Sequence, residues 1–223
     1  MFPIRDSNRT SRFPIMNWLL ILANALVFFY EISLGDGQLN EFIYEFAMMP
    51  AKLQSDPQTF AFTVLTSMFM HAGWFHFLSN VWILHIFGDN VEDRMGPIRY
   101  LIFYLLGGVA AALLETYVSP GSQIPVLGAS GAIAGVLGAY VLLFPGARVR
   151  TAVFLIFISI MDLPAVIFIG FWFVSQLFSG LASIGATATT GVAWWAHIGG
   201  FAMGLLLCGL FARRQRPAQI DYL

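Results

Sequence analysis

The sequence predicts an all-α membrane protein: a bundle of six transmembrane helices with a long outer loop between the first and second. Three observations carry this reading. Hydrophobic residues make up 58% of the 223 and charged residues only 10%, with a mean hydropathy of +0.76, beyond an ordinary soluble domain. The apolar residues gather into segments long enough to cross a bilayer. The basic residues are placed so that one orientation puts nearly all of them on one side. The chain is too short for two large membrane domains. One membrane domain over residues 16–212 is therefore expected, between a cytoplasmic segment 1–15 and a cytoplasmic tail 213–223.

The first span is Met16–Ile32. Ala23-Asn24-Ala25 mimics a signal cleavage site, but the apolar run continues to Tyr30, so the segment reads as an anchor. Ser33–Ser67 is the long outer loop, whose Phe42, Tyr44, Phe46, Met48 and Met49 suit a piece lying in the membrane interface. The remaining spans are Phe69–Phe87, Pro97–Val118, Ala129–Phe144, Ala165–Phe178 and Val192–Phe211. Asp162 and Pro164 break the stretch Thr151–Ser179, and Val153–Met161 is too short to span alone. It is expected to form a buried loop or half-helix leading into the fifth span. Ser179–Gly191, made mostly of Gly, Ala, Ser and Thr, suits a mobile flap.

Charge sets the orientation. With a cytoplasmic N-terminus, Arg5, Arg9, Arg12, Arg94, Arg99, Arg148, Arg150, Arg213, Arg214 and Arg216 face the cytoplasm and only Lys52 faces out. A seventh span would move the Arg213–Arg216 cluster outside. A multi-pass protein of a prokaryotic cytoplasmic membrane is expected, with both termini cytoplasmic. A net charge of -1 without a basic stripe offers nothing to nucleic acid. Cys208, alone, excludes an internal disulfide and reads as an apolar filler.

Within this topology, polar groups of three separated spans come to the outer side. Ser130 opens the fourth span in Gly128-Ala129-Ser130-Gly131, and His197 lies near the start of the sixth in Ala196-His197-Ile198-Gly199-Gly200. His71, His76 and Asn80 fall in the outer part of the second. Ionisable residues inside a membrane are costly and usually functional. A serine and a histidine are the groups that acyl chemistry uses. Residues four apart differ by roughly 40° around a helix, so Ser130, Ala134 and Gly138 share one face, as do His197, Gly200 and Gly204. Small residues let membrane helices approach closely, so these two faces are able to touch. His76 and Asn80 share a face, and with the Ser130 backbone N–H they could converge on one oxyanion. His71 and His76 lie roughly 140° apart on a regular helix, which argues against a chelating pair. No His-Glu-x-x-His pattern exists. Singly, each residue has a bland reading: Ser130 as an ordinary helix cap, His76 and Asn80 as bonds within the bundle, His85 as packing.

Taken together, the chain resembles the rhomboid intramembrane serine proteases. The resemblance rests on Gly128-x-Ser130-Gly131, on Ala196-His197-x-x-Gly200-x-x-x-Gly204, on His71-x4-His76-x3-Asn80 and on the cytoplasmic turn Gly88-Asp89-Asn90-Val91-Glu92-Asp93-Arg94. These motifs run in order from the second span to the sixth. The resemblance implies a six-helix bundle of rhomboid type and a Ser130–His197 dyad without an acid partner. It implies an oxyanion hole of His76, Asn80 and the Ser130 N–H, and His71 bracing the outer loop. Gly128, Gly131, Gly200 and Gly204 would support the site. Substrates would be single-span membrane proteins within the lipid bilayer, with no cofactor or metal. Asp162 lies on the cytoplasmic side, and Glu115 has no evident link to His197. Two departures stand out. Many relatives carry a Trp-Arg pair in the outer loop, and none occurs between Ser33 and Ser67. Some stack an aromatic residue on the histidine one turn after the serine, where this chain has Ala134; Trp194 or Trp195 are candidates for that task.

Two other readings stay open. A catalytically inactive rhomboid-like protein would bind transmembrane helices in the same cleft, and binding without turnover would mark it. A haem- or proton-handling protein would use the four histidines, and a haem absorbance would mark it. The oligomeric state is not legible.

Overall fold

Hydrocarbon gives apolar helices no hydrophobic reason to associate, so a membrane bundle holds together through close packing and hydrogen bonds. The computed structural model of this chain describes residues 1–154, 157–184 and 192–213. A strand β1 (Phe2–Asp6) precedes the long helix α1 (Ile15–Ser33). Short helices α2 (Asp36–Phe46), α3 (Pro50–Ser55), α4 (Pro57–Phe60) and α5 (Phe62–Thr66), with a 3-10 turn over Ser67–Phe69, lead to α6 (Trp74–Met95). Then come α7 (Pro97–Val118), α8 (Ser130–Leu143), strands β2 (Arg148–Phe154) and β3 (Ile158–Pro164), α9 (Ala165–Ser183) and α10 (Trp194–Phe211). Among the described residues, α1, α7, α9 and α10 are long and apolar enough to cross a membrane. α6 has 22 residues but carries Asp89, Glu92, Asp93 and Arg94 near its end. α8 is apolar but only 14 residues long.

α8 is the axis of the molecule. Every residue from Gly131 to Tyr140 is buried, as expected of a helix that is apolar all round. α6, α7 and α10 pack around it. The tightest contact is with α10, where backbone meets backbone. A Cβ on Gly200 would lie 1.9 Å from the carbonyl oxygen of Gly131, and one on Gly204 would lie 2.1 Å from that of Gly135. The seam therefore centres on Gly131 and Gly135, next round the helix from the Ser130–Ala134–Gly138 stripe. Ala134 and Gly138 flank it, against Gly200 and Phe201 respectively.

The outer surface is apolar in a helical stripe. On α7, Ile98, Ile102, Leu106, Val109, Leu113 and Tyr117 are exposed at intervals of three or four residues. α9 likewise exposes Val166, Ile167, Phe171, Val174, Phe178 and Leu181. Contiguous apolar surface of this extent marks contact with membrane or partner.

Three expectations are corrected. The fold is mostly helical rather than all-α, because β1, β2 and β3 form an antiparallel sheet in that order. The described residues of Val153–Met161 do not form a buried loop or half-helix: Val153 and Phe154 end β2 and Ile158–Met161 begin the antiparallel β3, with Phe154, Phe157, Ile158, Ile160 and Met161 exposed. A short run rich in β-branched and aromatic residues fits a strand as well as a half-helix, and the N-terminal chain supplies a further partner strand. The break expected at Asp162 and Pro164 falls at Pro164, where β3 ends and α9 begins, and Asp162 accepts two hydrogen bonds from Arg150 at 3.0 and 3.1 Å, which hold its carboxyl below the usual range. Finally, Gly88–Arg94 is the end of α6 rather than a turn; the chain turns at Gly96, with φ of +84°.

That helix end stays regular because its polar groups are matched. Glu92 is buried and accepts the N–H groups of Met16 (3.1 Å) and Asn17 (2.7 Å), satisfying the first turn of α1, which has no side-chain cap of its own. Asn17 in turn accepts from Tyr100 Oη at 2.8 Å and donates to the Leu84 carbonyl at 3.1 Å. Ser179–Ser183 of the expected flap continues α9, while residues 185–191, like Arg214 and Arg216, lie outside the described residues.

The seam yields a paired prediction. Alanine in place of helical glycine ordinarily gains about 0.8–1 kcal/mol. At Gly204 the added methyl meets backbone oxygen, and overpacking of this kind costs about 1–3 kcal/mol, so Gly204→Ala should destabilise. At Gly209 nothing lies within 4 Å, and Gly209→Ala should be neutral or stabilising. Thermal unfolding in detergent measures both; equal effects would contradict the seam.

Candidate active site

Ser130 is the first residue of α8, and the local chain frees its hydroxyl. The residue before it, Ala129, occupies the cap position, and no side chain caps the helix. Gly128 makes the entry with φ of +125° and donates its N–H to the Ser67 carbonyl at 2.8 Å. Only glycine accepts this backbone readily, and a Cβ there would lie 2.6 Å from the His76 ring. Ser130 Oγ instead lies 2.8 Å from Nε2 of His197, in the first turns of α10. The cap reading of Ser130 therefore does not hold.

The other ring nitrogen, His197 Nδ1, lies 2.7 Å from Oε1 of Gln176 on α9. Gln176 is buried. Its amide nitrogen donates to the Trp172 carbonyl (3.3 Å) and to Ser175 Oγ (3.0 Å). The ring packs near Trp172 (centroids 5.8 Å apart, planes at 42°) and Trp194 (6.3 Å, 84°). The aromatic environment missing at Ala134 thus comes from α9 and from the start of α10. Of the two candidates, Trp194 makes the contact.

Glu115, dismissed in the sequence for want of a link to His197, has one through the backbone. Its Oε2 accepts the N–H of Ala196 at 3.1 Å, at the start of α10, which has no cap of its own. Its Oε1 accepts from Ser119 Oγ at 3.0 Å.

A cavity of about 460 Å³ opens beside the pair, lined among others by Met48, His76, Asn80, Gly128, Ser130 and His197. Asn80 is buried, and its Nδ2 has no partner among the described residues. His76 Nδ1 accepts from the Ala72 N–H at 3.4 Å, which leaves Nε2 as the protonated nitrogen of the neutral ring. Both Nε2 of His76 and Nδ2 of Asn80 lie near Gly128, at 2.6 and 3.7 Å from its Cβ position. Two donors and the start of a helix therefore converge next to Ser130.

His71 is placed differently from the expectation. It lies in the loop before α6, so helical angles do not apply, and its ring is 5.3 Å from that of His76, centroid to centroid. Its backbone N–H donates to the buried Glu31 carboxylate of α1 at 3.0 and 3.2 Å. Its ring packs edge-on against Phe28 and Phe77. Gly131 lies against Ala111 of α7, and Gly200 and Gly204 form the seam. Among the described residues no group of acidic, histidine or cysteine side chains could hold a metal ion.

The family model described as Rhomboid domain matches residues 58–214, most of the chain. The chain belongs to the rhomboid family. It is 29% identical over 164 residues to Rhomboid protein 1, mitochondrial, of Saccharomyces cerevisiae, covering 69% of this chain and 43% of that protein. It is 31% identical over 126 residues to Rhomboid protease GluP of Bacillus subtilis, covering 56% and 24%. It is also 32% identical over 76 residues to Inactive RHOMBOID-like protein 8 of Arabidopsis thaliana, covering 34% and 21%. The chain spans less than half the length of these relatives. The family and the apolar helices make this rhomboid an integral membrane protein.

Gly128 is the position where geometry is least forgiving. Gly128→Ala should lower stability by about 1–3 kcal/mol, the usual cost of a side chain in such a backbone, read by thermal unfolding. An unchanged midpoint would contradict the strained entry to α8.

Proposed function

We propose that this rhomboid is an intramembrane serine endopeptidase that cleaves single-span membrane proteins in or near their transmembrane segments. The observation that carries the reading is the 2.8 Å contact between Ser130 Oγ and His197 Nε2 beside a cavity into which the buried Asn80 brings an Nδ2 unpartnered among the described residues. His197 takes the Ser130 proton as the oxygen attacks the substrate carbonyl carbon. The tetrahedral oxyanion sits against the Ser130 N–H, His76 and Asn80. His197 returns the proton to the leaving amine, the C–N bond breaks, and water hydrolyses the acyl-enzyme with His197 again as base. No cofactor takes part.

In the proposed topology α1, α6, α7, α8, α9 and α10 all span, with both termini cytoplasmic and the site open to the outer side, in keeping with the charge asymmetry. Helix length supports a sunken site. α8 is about 21 Å long at 1.5 Å per residue, against about 30 Å of hydrocarbon. With its far end at the cytoplasmic boundary, Ser130 sits some way below the outer surface, within reach of a substrate helix.

The relative named inactive supports a competing reading without turnover, in which the cleft would only bind transmembrane helices. Purified Ser130→Ala, incubated with a reporter transmembrane segment, should lose cleavage by at least about 10³-fold while remaining folded. Asn80→Ala should lose about 10²–10³-fold. Undiminished cleavage by Ser130→Ala would reject the assignment. Reporter binding without turnover by the unmutated protein would favour the binder.

A further inference from the structure

A dyad without an acid leaves a question open: what holds the imidazole in the tautomer that can accept a proton? A neutral imidazole carries its proton on one nitrogen only, and the hydrogen bond at one nitrogen decides the state of the other. To serve as base towards Ser130, His197 must be unprotonated at Nε2 and therefore protonated at Nδ1.

Nδ1 lies 2.7 Å from Gln176 Oε1. An amide could in principle present its NH₂ there instead, which would force the opposite and inactive tautomer. The surrounding bonds decide the matter. The amide nitrogen of Gln176 already donates to the Trp172 carbonyl at 3.3 Å and to Ser175 Oγ at 3.0 Å. The Ser175 hydroxyl in turn donates to that same carbonyl. Turning the amide over would set its oxygen against the Trp172 carbonyl, two acceptors facing each other in a buried site where an unmade bond is expensive. The orientation with Oε1 towards His197 satisfies every group. Trp172, one helical turn before Gln176, flanks the ring itself, so one stretch of α9 both fixes the tautomer and limits the tilt of the ring.

We infer that Gln176 is a positioning residue for the proposed reaction, a neutral acceptor that fixes His197 as the Nδ1–H tautomer and so keeps Nε2 available to Ser130. This rests on the dyad proposed above. Unlike a carboxylate, an amide adds orientation without adding charge, so it sets the tautomer without favouring the imidazolium.

The test begins with the unmutated protein. In ¹⁵N-histidine-labelled protein, the resonance lost in His197→Ala identifies the ring. Its nitrogen shifts should show Nδ1 protonated and Nε2 bare at neutral pH; the reverse would overturn the inference. Gln176→Leu should shift the ring towards the other tautomer and lower kcat on the reporter about 10- to 100-fold with little change in KM. That is less than the roughly 10⁴-fold loss in the worked serine-protease case where the orienting aspartate is replaced. Gln176→Glu restores an acceptor and should recover activity. Its added negative charge favours the protonated ring, so the acid limb of its pH profile should move to higher pH. A packing role alone would not move that limb. Unaltered kcat in folded Gln176→Leu would also overturn the inference, while leaving the dyad standing. Loss of the dyad would show separately, as cleavage that survives Ser130→Ala or His197→Ala.

Discussion

Backbone contact between α8 and α10 is the constraint on which the rest depends. Side chains on ordinary packed helices hold the axes about 8–10 Å apart, but here glycine faces carbonyl oxygen at Gly200 against Gly131 and at Gly204 against Gly135. Ser130 immediately precedes the first of these glycines, and His197 lies one residue short of a turn before Gly200. The close approach therefore delivers the hydroxyl to the imidazole. Hydrogen bonds weaken steeply once donor and acceptor drift beyond about 3.2 Å. The seam and the Ser130–His197 contact are thus one feature, and an added methyl in the seam would act on both.

A second regularity concerns the ends of elements. Helix starts expose N–H groups that hydrocarbon cannot satisfy. In this molecule buried glutamates from neighbouring helices take that role: Glu92 for α1, Glu115 for α10, and Glu31 for the loop entering α6. Each fixes one helix to another at a defined height. Glu31 and Glu115 do so next to the site, at the backbone of His71 and one residue before His197. These two acidic residues near the candidate site thus act on it through backbone N–H groups.

Much of this was legible in the chain. α7 runs from Pro97 to Val118 as the apolar pattern marks it, because Gly96 breaks the chain ahead of it and polar residues follow. Ser130 and His197 were legible because polar, reactive residues next to glycine pairs have few roles in an apolar helix. The hairpin was not, since a short apolar run such as Val153–Met161 carries no period that separates strand from half-helix. His71 was misplaced because the apolar run begins at Phe69, whereas Gly73 delays the helix to Trp74. Gln176 carried a signal that went unread: it is the lone amide in the apolar run of α9, and a polar group in a membrane helix needs a partner. Glu115 gave the same signal, but its link to α10 runs to a backbone amide, invisible to any pairing of side chains.

The central claim, that Ser130 is a nucleophile armed by His197, is tested most directly by a fluorophosphonate probe followed by mass spectrometry of the modified peptide. The probe reports the nucleophile and its base without a substrate. The expected result is a single adduct on Ser130, formed in the unmutated protein and lost in folded His197→Ala. Labelling elsewhere, or equal labelling of Ser130 without the histidine, would contradict the account.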